Sequence, residues 1–254
     1  MRISLVGYGR MGHEIERIAL SRGHSVVCRI DVDNLDEFGG EAFRSADVII
    51  EFTSPSQAYE NVLKAFGLGM KIVSGTTGWM EQHRDEMLSL CAGGANTLFW
   101  SSNFSIGVTL FSKVSRYLAG LMNGYAMYDV TLSETHHVHK LDAPSGTAIA
   151  LAEGIADGLD RKSGWTAGVL HNPDGSISGS EAVEPDLIRI DSVREGEVPG
   201  VHSVKYESDV DEIVITHSAK NRSGLALGAV LAAEYALNHS GFLTMDSLLG
   251  FQAC

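Results

Sequence analysis

Glu134-Thr135-His136-His137-Val138-His139-Lys140-Leu141-Asp142-Ala143-Pro144-Ser145-Gly146-Thr147-Ala148 places three imidazoles and an ammonium group within five residues, just ahead of a Pro-Ser-Gly-Thr turn. Imidazole and ammonium groups donate protons near neutral pH. A helix starting after the turn offers free backbone N–H groups to an anion. The combination describes a pocket that holds a carboxylate and delivers a proton beside it. A His-rich stretch alone would read as a solvated polar loop. The ordered Lys-x-Asp-x-Pro-Ser-Gly-Thr-Ala that follows points instead to a built site. A metal site at His136, His137 and His139 lacks cysteine or carboxylate partners at the usual spacing, and none is expected.

A second constellation stands near the start. Gly7-Tyr8-Gly9-Arg10-Met11-Gly12 follows the apolar run Ile3–Val6 and opens a helix-like pattern, and Asp31 ends the next apolar run. In that context Gly7 permits a tight turn, Gly9 lets the backbone approach a pyrophosphate, and Gly12 allows close helix–strand packing. Asp31 is placed to accept hydrogen bonds from ribose hydroxyls, and its charge opposes a 2′-phosphate unless a cation offsets it. Arg10 and Arg29 are the nearby cations, so NADH is expected to serve at least as well as NADPH. Gly75-Thr76-Thr77-Gly78 closes another strand and suits close approach by a flat ring.

These groups need a scaffold. Apolar runs at Ile3–Val6, Val26–Ile30, Val48–Phe52, Ile72–Ser74 and Leu98–Trp100 alternate with helix-like stretches near Gly12–Ser21, Ser56–Phe66 and Trp79–Cys91. Strands alternating with helices imply βαβ units and a parallel sheet, with ligands at the strand C-termini. Past Asn103–Gly107 the pattern changes. A helix-like run reaches Leu121, a strand spans Tyr125–Ser133, and a helix after Pro144 carries Ala148, Leu151, Ala152, Ile155 and Leu159 on one face. The Gly/Ser/Pro-rich segment Ser163–Asp186 reads as an exposed loop. Strands are predicted at Leu187–Val193, His202–Glu207 and Ile213–His217, and an Ala-rich helix at Leu225–Asn238 packs back on the first domain. The fold class is α/β: a Rossmann-type dinucleotide-binding domain over 1–106, completed by 220–254, and an α+β mixed-sheet substrate and oligomerisation domain over 107–219.

With 19 Lys and Arg against 32 Asp and Glu, the net charge is −13, which repels phosphate backbones and excludes nucleic acid as a natural partner. An anionic substrate must then be drawn by local positive charge. Cys28, Cys91 and Cys254 share no close spacing, so neither a disulfide framework nor a zinc site is expected. The chain opens directly into a strand and shows no leader or membrane-spanning run, which leads to the expectation of a cytoplasmic protein without a membrane partner.

The stretch Glu134–Ala148 resembles the signature of the dihydrodipicolinate reductase family. Gly7–Gly12, Gly75–Gly78, Asn103-Phe104-Ser105-x-Gly107 and Ile215-Thr216-His217 extend the resemblance over nearly the whole chain. One departure is Thr131, where the family usually carries Glu. The resemblance implies an NAD(P)H-dependent reductase of a cyclic dicarboxylate in lysine and diaminopimelate synthesis. It implies His136 as general acid/base, and Lys140 as the residue that pairs with a substrate carboxylate and helps donate the proton. It implies substrate contacts from His137, Ser145, Gly146, Thr147, Thr77 and Arg222. Cofactor contacts are implied for Gly7, Tyr8, Gly9, Arg10, Met11, Gly12, Asp31, Phe52, Thr53, Gly75, Thr76 and Thr77, and for Ser101, Ser102, Asn103 and Phe104. Many members carry a basic residue just after the acid, where this chain has Val32. Asp142 is expected to orient Lys140 or cap the turn. For His139, a substrate contact and simple loop solvation both stay open. A homotetramer is implied in the same way. The alternatives are an aspartate-type amino-acid dehydrogenase and a non-catalytic dinucleotide-sensing protein.

Overall fold

The computed structural model describes residues 1–182, 184–221 and 223–251. In chain order its strands and α-helices are β1 (Arg2–Val6), α1 (Arg10–Ser21), β2 (Ser25–Ile30), α2 (Glu41–Arg44), β3 (Val48–Glu51), α3 (Pro55–Gly67), β4 (Ile72–Ser74), α4 (Met80–Leu90) and β5 (Thr97–Trp100). There follow α5 (Ile106–Met122), β6 (Asp129–His136), α6 (Gly146–Ala156), β7 (Gly164–His171), β8 (Ile177–Gly179), β9 (Leu187–Arg194), β10 (Val201–Glu207), β11 (Glu212–Ser218), α7 (Ser223–Asn238), β12 (Gly241–Leu243) and α8 (Met245–Leu249). Two compact units form. One runs to Ile106 and resumes at Ser223, and the other begins at Gly107.

The first unit is built on a parallel six-stranded sheet, order β12-β5-β4-β3-β1-β2. Its strands are apolar throughout because both faces are covered. Ile3, Leu5, Val48, Ile50, Val73 and Phe99 pack with Ile15 and Ala19 of α1 and the alanines of α7. The intervening Val6, Ile49, Ile72 and Leu98 pack with Ala58, Val62 and Ala65 of α3 and Met80 and Met87 of α4. Strand alternation thus splits one apolar run between two cores. The chain leaves β1 for β2 on one side and returns to β3 on the other, which opens a crevice at the C-terminal ends of β1, β2 and β3.

The second unit carries a mixed sheet, order β11-β10-β6-β9-β7-β8. β6 runs parallel to β9 and antiparallel to β10. One face of the sheet carries Val130 and Leu132 of β6, Ile188 and Ile190 of β9, and Val204 and Tyr206 of β10, packed with Leu151, Ala152 and Ile155 of α6. Further along the same strands, at one end of the sheet, the buried alternate positions turn polar: Glu134 and His136, Ser192 and Arg194, and His202.

Several elements differ from expectation. The segment Ser163–Asp186, expected as a loop, holds β7 and β8. Its Gly- and Ser-rich composition masks a strand that is stabilised by pairing with β9, and β8 is wholly exposed at the sheet edge. The strand expected at Tyr125–Ser133 starts at Asp129 and runs through His136. β12 and α8 were not anticipated, being too short to show periodicity. Arg222 and Cys254 lie outside the described residues. Among the described residues no helix is long and apolar enough to cross a membrane.

Candidate active site

His136 is the last residue of β6, and the chain then turns, with the Lys140 N–H donated to the His137 carbonyl at 3.1 Å. Two residues earlier on the same strand face sits Glu134, whose side chain is 0% exposed. Its carboxylate accepts the Ser145 N–H on both oxygens at 3.1 Å, the Ser192 hydroxyl at 3.0 Å and the Arg194 guanidinium at 3.3 Å. The His136 Nδ1 lies 3.4 Å from Oε2 of Glu134, and the His202 Nε2 lies 3.7 Å from the same oxygen. Arg194, opposite His136 in the β6–β9 register, also donates to the carbonyls of Lys140 and Asp142 at 3.2 and 2.6 Å. It ties the turn to the strand. Lys140 in turn is held by Asp142, with its Nζ 2.8 Å from each carboxylate oxygen.

The helix start expected to receive an anion forms, with one change. Ser145 caps α6, its hydroxyl accepting the Ala148 N–H at 3.2 Å and standing 3.2 Å from the His202 Nε2. With its own N–H given to Glu134, Ser145 shapes the turn, and the N–H groups that find no acceptor among the described residues are those of Gly146 and Thr147. His137 is half-buried, and its Nδ1 has no partner among the described residues. The His139 ring stands 5.9 Å from that of His137. It is exposed and pairs with Glu197 at 3.1 Å.

Burial sets the electrostatics. The His202 imidazole is pushed down to about 4, chiefly because burial disfavours its charged form, with the neighbouring His136 acting the same way. Burial also lowers His136, an effect that the Glu134 carboxylate opposes and Lys140 and Arg194 reinforce. Glu134 stays below the usual carboxylate range despite its burial, because hydrogen bonds from Ser145 and Ser192 and the charge of His136 favour the anion. Ligand atoms of Glu134, His136 and His202 lie within 4.8 Å of one another. The carboxylate accepts hydrogen bonds from two serines and an arginine, and the two imidazoles stand at charge-contact distance from it.

In the other unit, Gly7 has φ +88°, and a Cβ there would stand 1.9 Å from the Phe52 carbonyl oxygen, so the turn after β1 closes on glycine alone. Gly9 caps α1 with no side chain in its way, and the N–H groups of Arg10, Met11 and Gly12 find no acceptor among the described residues. This is a helix start built for an anion. A cavity of about 440 Å³ runs from Gly9–Gly12 past Phe52 and Thr53 to Gly75, Thr76 and Thr77. A second, of about 380 Å³, includes Gly7, Asp31, Val32, Leu35 and Asn61 in its lining. The two loops are joined by Glu51, fully buried, which accepts the Thr53 N–H at 2.9 Å and the hydroxyls of Thr53, Ser74 (2.6 Å) and Thr76 (2.7 Å). Of the two candidate cations, Arg29 is committed elsewhere. It pairs with Glu16 and lies over the Tyr8 ring at 5.7 Å, while Tyr8 donates its hydroxyl to Glu16. Arg10 remains exposed at the turn. In the loop after β5, the Ser101 hydroxyl bonds the Asn103 carbonyl at 2.7 Å and Ser102 is exposed. The Phe104 side chain is in the core, 2% exposed and stacked on Phe99.

Glu134 has no role in the local pattern, and Ser192, Arg194 and His202 lie outside it. The Glu134-x-His136 spacing on a strand was the one available signal. The other three meet Glu134 through strand register, which local pattern does not encode.

Residues 1–104 match the family model described as dihydrodipicolinate reductase, N-terminus, and residues 107–249 match that of its C-terminus. A 4-hydroxy-tetrahydrodipicolinate reductase of Christiangramia forsetii is 40% identical over 249 residues, 98% of each chain. One from Archaeoglobus fulgidus is 33% identical, covering 98% of this chain and 100% of its own. Among solved structures, a dipicolinate-bound dihydrodipicolinate reductase from Paenisporosarcina sp. TG-14 superposes with a TM-score of 0.74 at 22% identity, covering 96% of this chain and 97% of the other. At that identity the superposition speaks for the fold.

The His202 environment predicts an acid-sensitive fold. Its imidazole is held neutral down to about 4 in the folded protein, whereas an unfolded histidine takes a proton below about 6.5. Stability is therefore fully present above pH ~6.5 and declines as pH falls toward 4, by at most on the order of 3 kcal/mol from this group. Urea midpoints between these limits should fall more gently in His202→Gln than in the parent, with His136 leaving a residual slope. Parallel curves would mean that another group controls the transition.

Proposed function

This chain belongs to the dihydrodipicolinate reductase family, and on that premise we propose that it reduces dihydrodipicolinate (4-hydroxy-tetrahydrodipicolinate) to tetrahydrodipicolinate with a nicotinamide nucleotide. The observation that carries the reading is the arrangement in the second unit. A proton donor, His136, stands beside a buried carboxylate, with an oriented ammonium and an open helix start on the same turn. Family membership replaces the two alternatives, an amino-acid dehydrogenase and a cofactor sensor.

The glycine cradle at Gly7–Gly12, the crevice along Phe52–Thr53 and Gly75–Thr77, and the loop Ser101–Asn103 fit a dinucleotide. When bound, it supplies a hydride to the substrate. His136 holds the proton that the neighbouring carbon receives. Its Nδ1 lies 3.4 Å from the buried Glu134 carboxylate, which favours a proton there and leaves Nε2 as the nitrogen that delivers. Lys140, positioned by Asp142, pairs with a substrate carboxylate and stabilises the charge that builds as the ring is reduced. The free N–H groups of Gly146 and Thr147 receive a carboxylate at the start of α6. His137 and Arg222 complete the substrate contacts offered by this unit. Ser145 acts by fixing the turn.

A homotetramer and a cytoplasmic location belong to the same reading. The free thiols of Cys28 and Cys91 support a reducing compartment. The edge strand β11, with Ile213 and Val214 exposed, supports assembly through the mixed sheet.

His136→Gln and Lys140→Ala should each lower turnover on dihydrodipicolinate by about 10²–10⁴, the scale of a lost positioned proton donor. NADH affinity should be unchanged, since neither residue lies in the dinucleotide-binding unit. Following nicotinamide absorbance with enzymatically generated substrate measures both. Near-normal turnover in the two variants would remove them from the chemistry.

NADH should be used at least as well as NADPH. Asp31 is followed by Val32, Arg29 is tied to Glu16, and Arg10 is left as the cation that softens repulsion of a 2′-phosphate. Asp31→Ala combined with Val32→Arg should shift the kcat/KM ratio toward NADPH by about tenfold, equivalent to about 1.4 kcal/mol. A tenfold preference of the parent for NADPH would show that the cations outweigh Asp31.

A further inference from the structure

The general acid of this site sits beside two cations and two further imidazoles. His136 is faced by the ammonium of Lys140 and the ring of His137 from the turn, by the guanidinium of Arg194 from β9 and by the ring of His202 from β10, 5.1 Å away edge-on. The anion nearest to it is Glu134 of its own strand, with Oε2 3.4 Å from Nδ1, a charge contact at a buried nitrogen that has no hydrogen-bond partner among the described residues. The same carboxylate takes the Ser145 N–H on both oxygens, and so holds the residue that caps α6. One carboxylate thus binds the cap of the carboxylate receptor, eleven residues on, and stands against the proton donor.

We propose that Glu134 is the positioning residue of this active site, its charge beside Nδ1 of His136 favouring the proton there so that Nε2 is left to the substrate, and its carboxylate locking the Ser145 amide so that only the Gly146 and Thr147 amides are offered to the substrate carboxylate. Three features support the assignment. The Glu134 side chain is wholly buried, so solvent does not compete for its oxygens. Its charge is balanced by Arg194, which lets a carboxylate persist at that depth. The Nε2 edge of His136 lies against Gly200, where a Cβ would approach to 3.0 Å, so the ring has room in this orientation because that position carries no side chain. The balance of charge has a consequence. Burial, Lys140 and Arg194 all disfavour the imidazolium, and Glu134 is the group that opposes them. Glu134 therefore keeps His136 protonated to higher pH than its surroundings would otherwise allow.

The inference rests on the reductase reading, and the test separates the two. Glu134→Gln keeps an oxygen for the Ser145 N–H and removes the charge. It should lower kcat about 10–100-fold, as loss of an outer partner of a reacting histidine does, with little change in NADH affinity. The alkaline limb of kcat/KM, where the general acid loses its proton, should move to lower pH. Glu134→Asp, which restores the charge, should return the limb toward its original position. An unshifted limb in Glu134→Gln, whether or not activity falls, would overturn the proposal, because a purely structural role alters amount and stability without moving a titration. Should Glu134→Gln not fold, ¹⁵N NMR of selectively labelled histidine in the unaltered protein decides. Neutral His136 protonated on Nδ1 is expected, and neutral His136 protonated on Nε2 overturns the assignment. A protein inactive on dihydrodipicolinate that still shows the Nδ1–H form would refute the reductase reading and leave the role of Glu134 standing.

Discussion

A carboxylate buried to 0% exposure on the core face of a sheet is the constraint around which the second unit is organised. Desolvating such a charge costs several kcal/mol, which its partners must offset. Glu134 does this with two serines, one arginine and the nearby imidazoles, drawn from β6, the cap of α6, β9 and β10. Each of those strands must be in register for the charge to be satisfied. A one-residue slip would turn Glu134 or its partners to the other face. The chemistry and the sheet register are therefore mutually dependent: the polar network that makes His136 useful also penalises any other pairing.

The dinucleotide-binding unit solves a similar problem with Glu51. It ends β3, is fully buried, and collects donors from the Thr53 loop and from Ser74 and Thr76 at the end of β4. The loops that line the crevice are thereby cross-linked at their bases, while their tips remain open. In both units an acidic residue at the end of a strand holds two loops in fixed relation, and backbone N–H groups at a helix start face outward for an anion. Precision comes from the supporting hydrogen bonds, and the ligand-facing groups are left free to act.

The sequence by itself determined the class of fold and the glycine turn, and it marked the His–Lys stretch as the candidate site. Periodicity marked the parallel strands, since a sheet covered on both faces leaves runs such as Val48–Ile50 apolar without interruption. The Gly7–Gly12 spacing implied its own geometry because backbone conformation is a local property. Tertiary structure decided the rest. It made strands of a Gly/Ser-rich segment by pairing β7 with β9, drew Arg29 to Glu16, and spent the Ser145 amide on Glu134. It also brought Ser192, Arg194 and His202 to Glu134 from 58, 60 and 68 residues away. Long-range register and the partner chosen by a buried charge are settled by the free energy of the whole packed sheet, and no local window of sequence contains that sum.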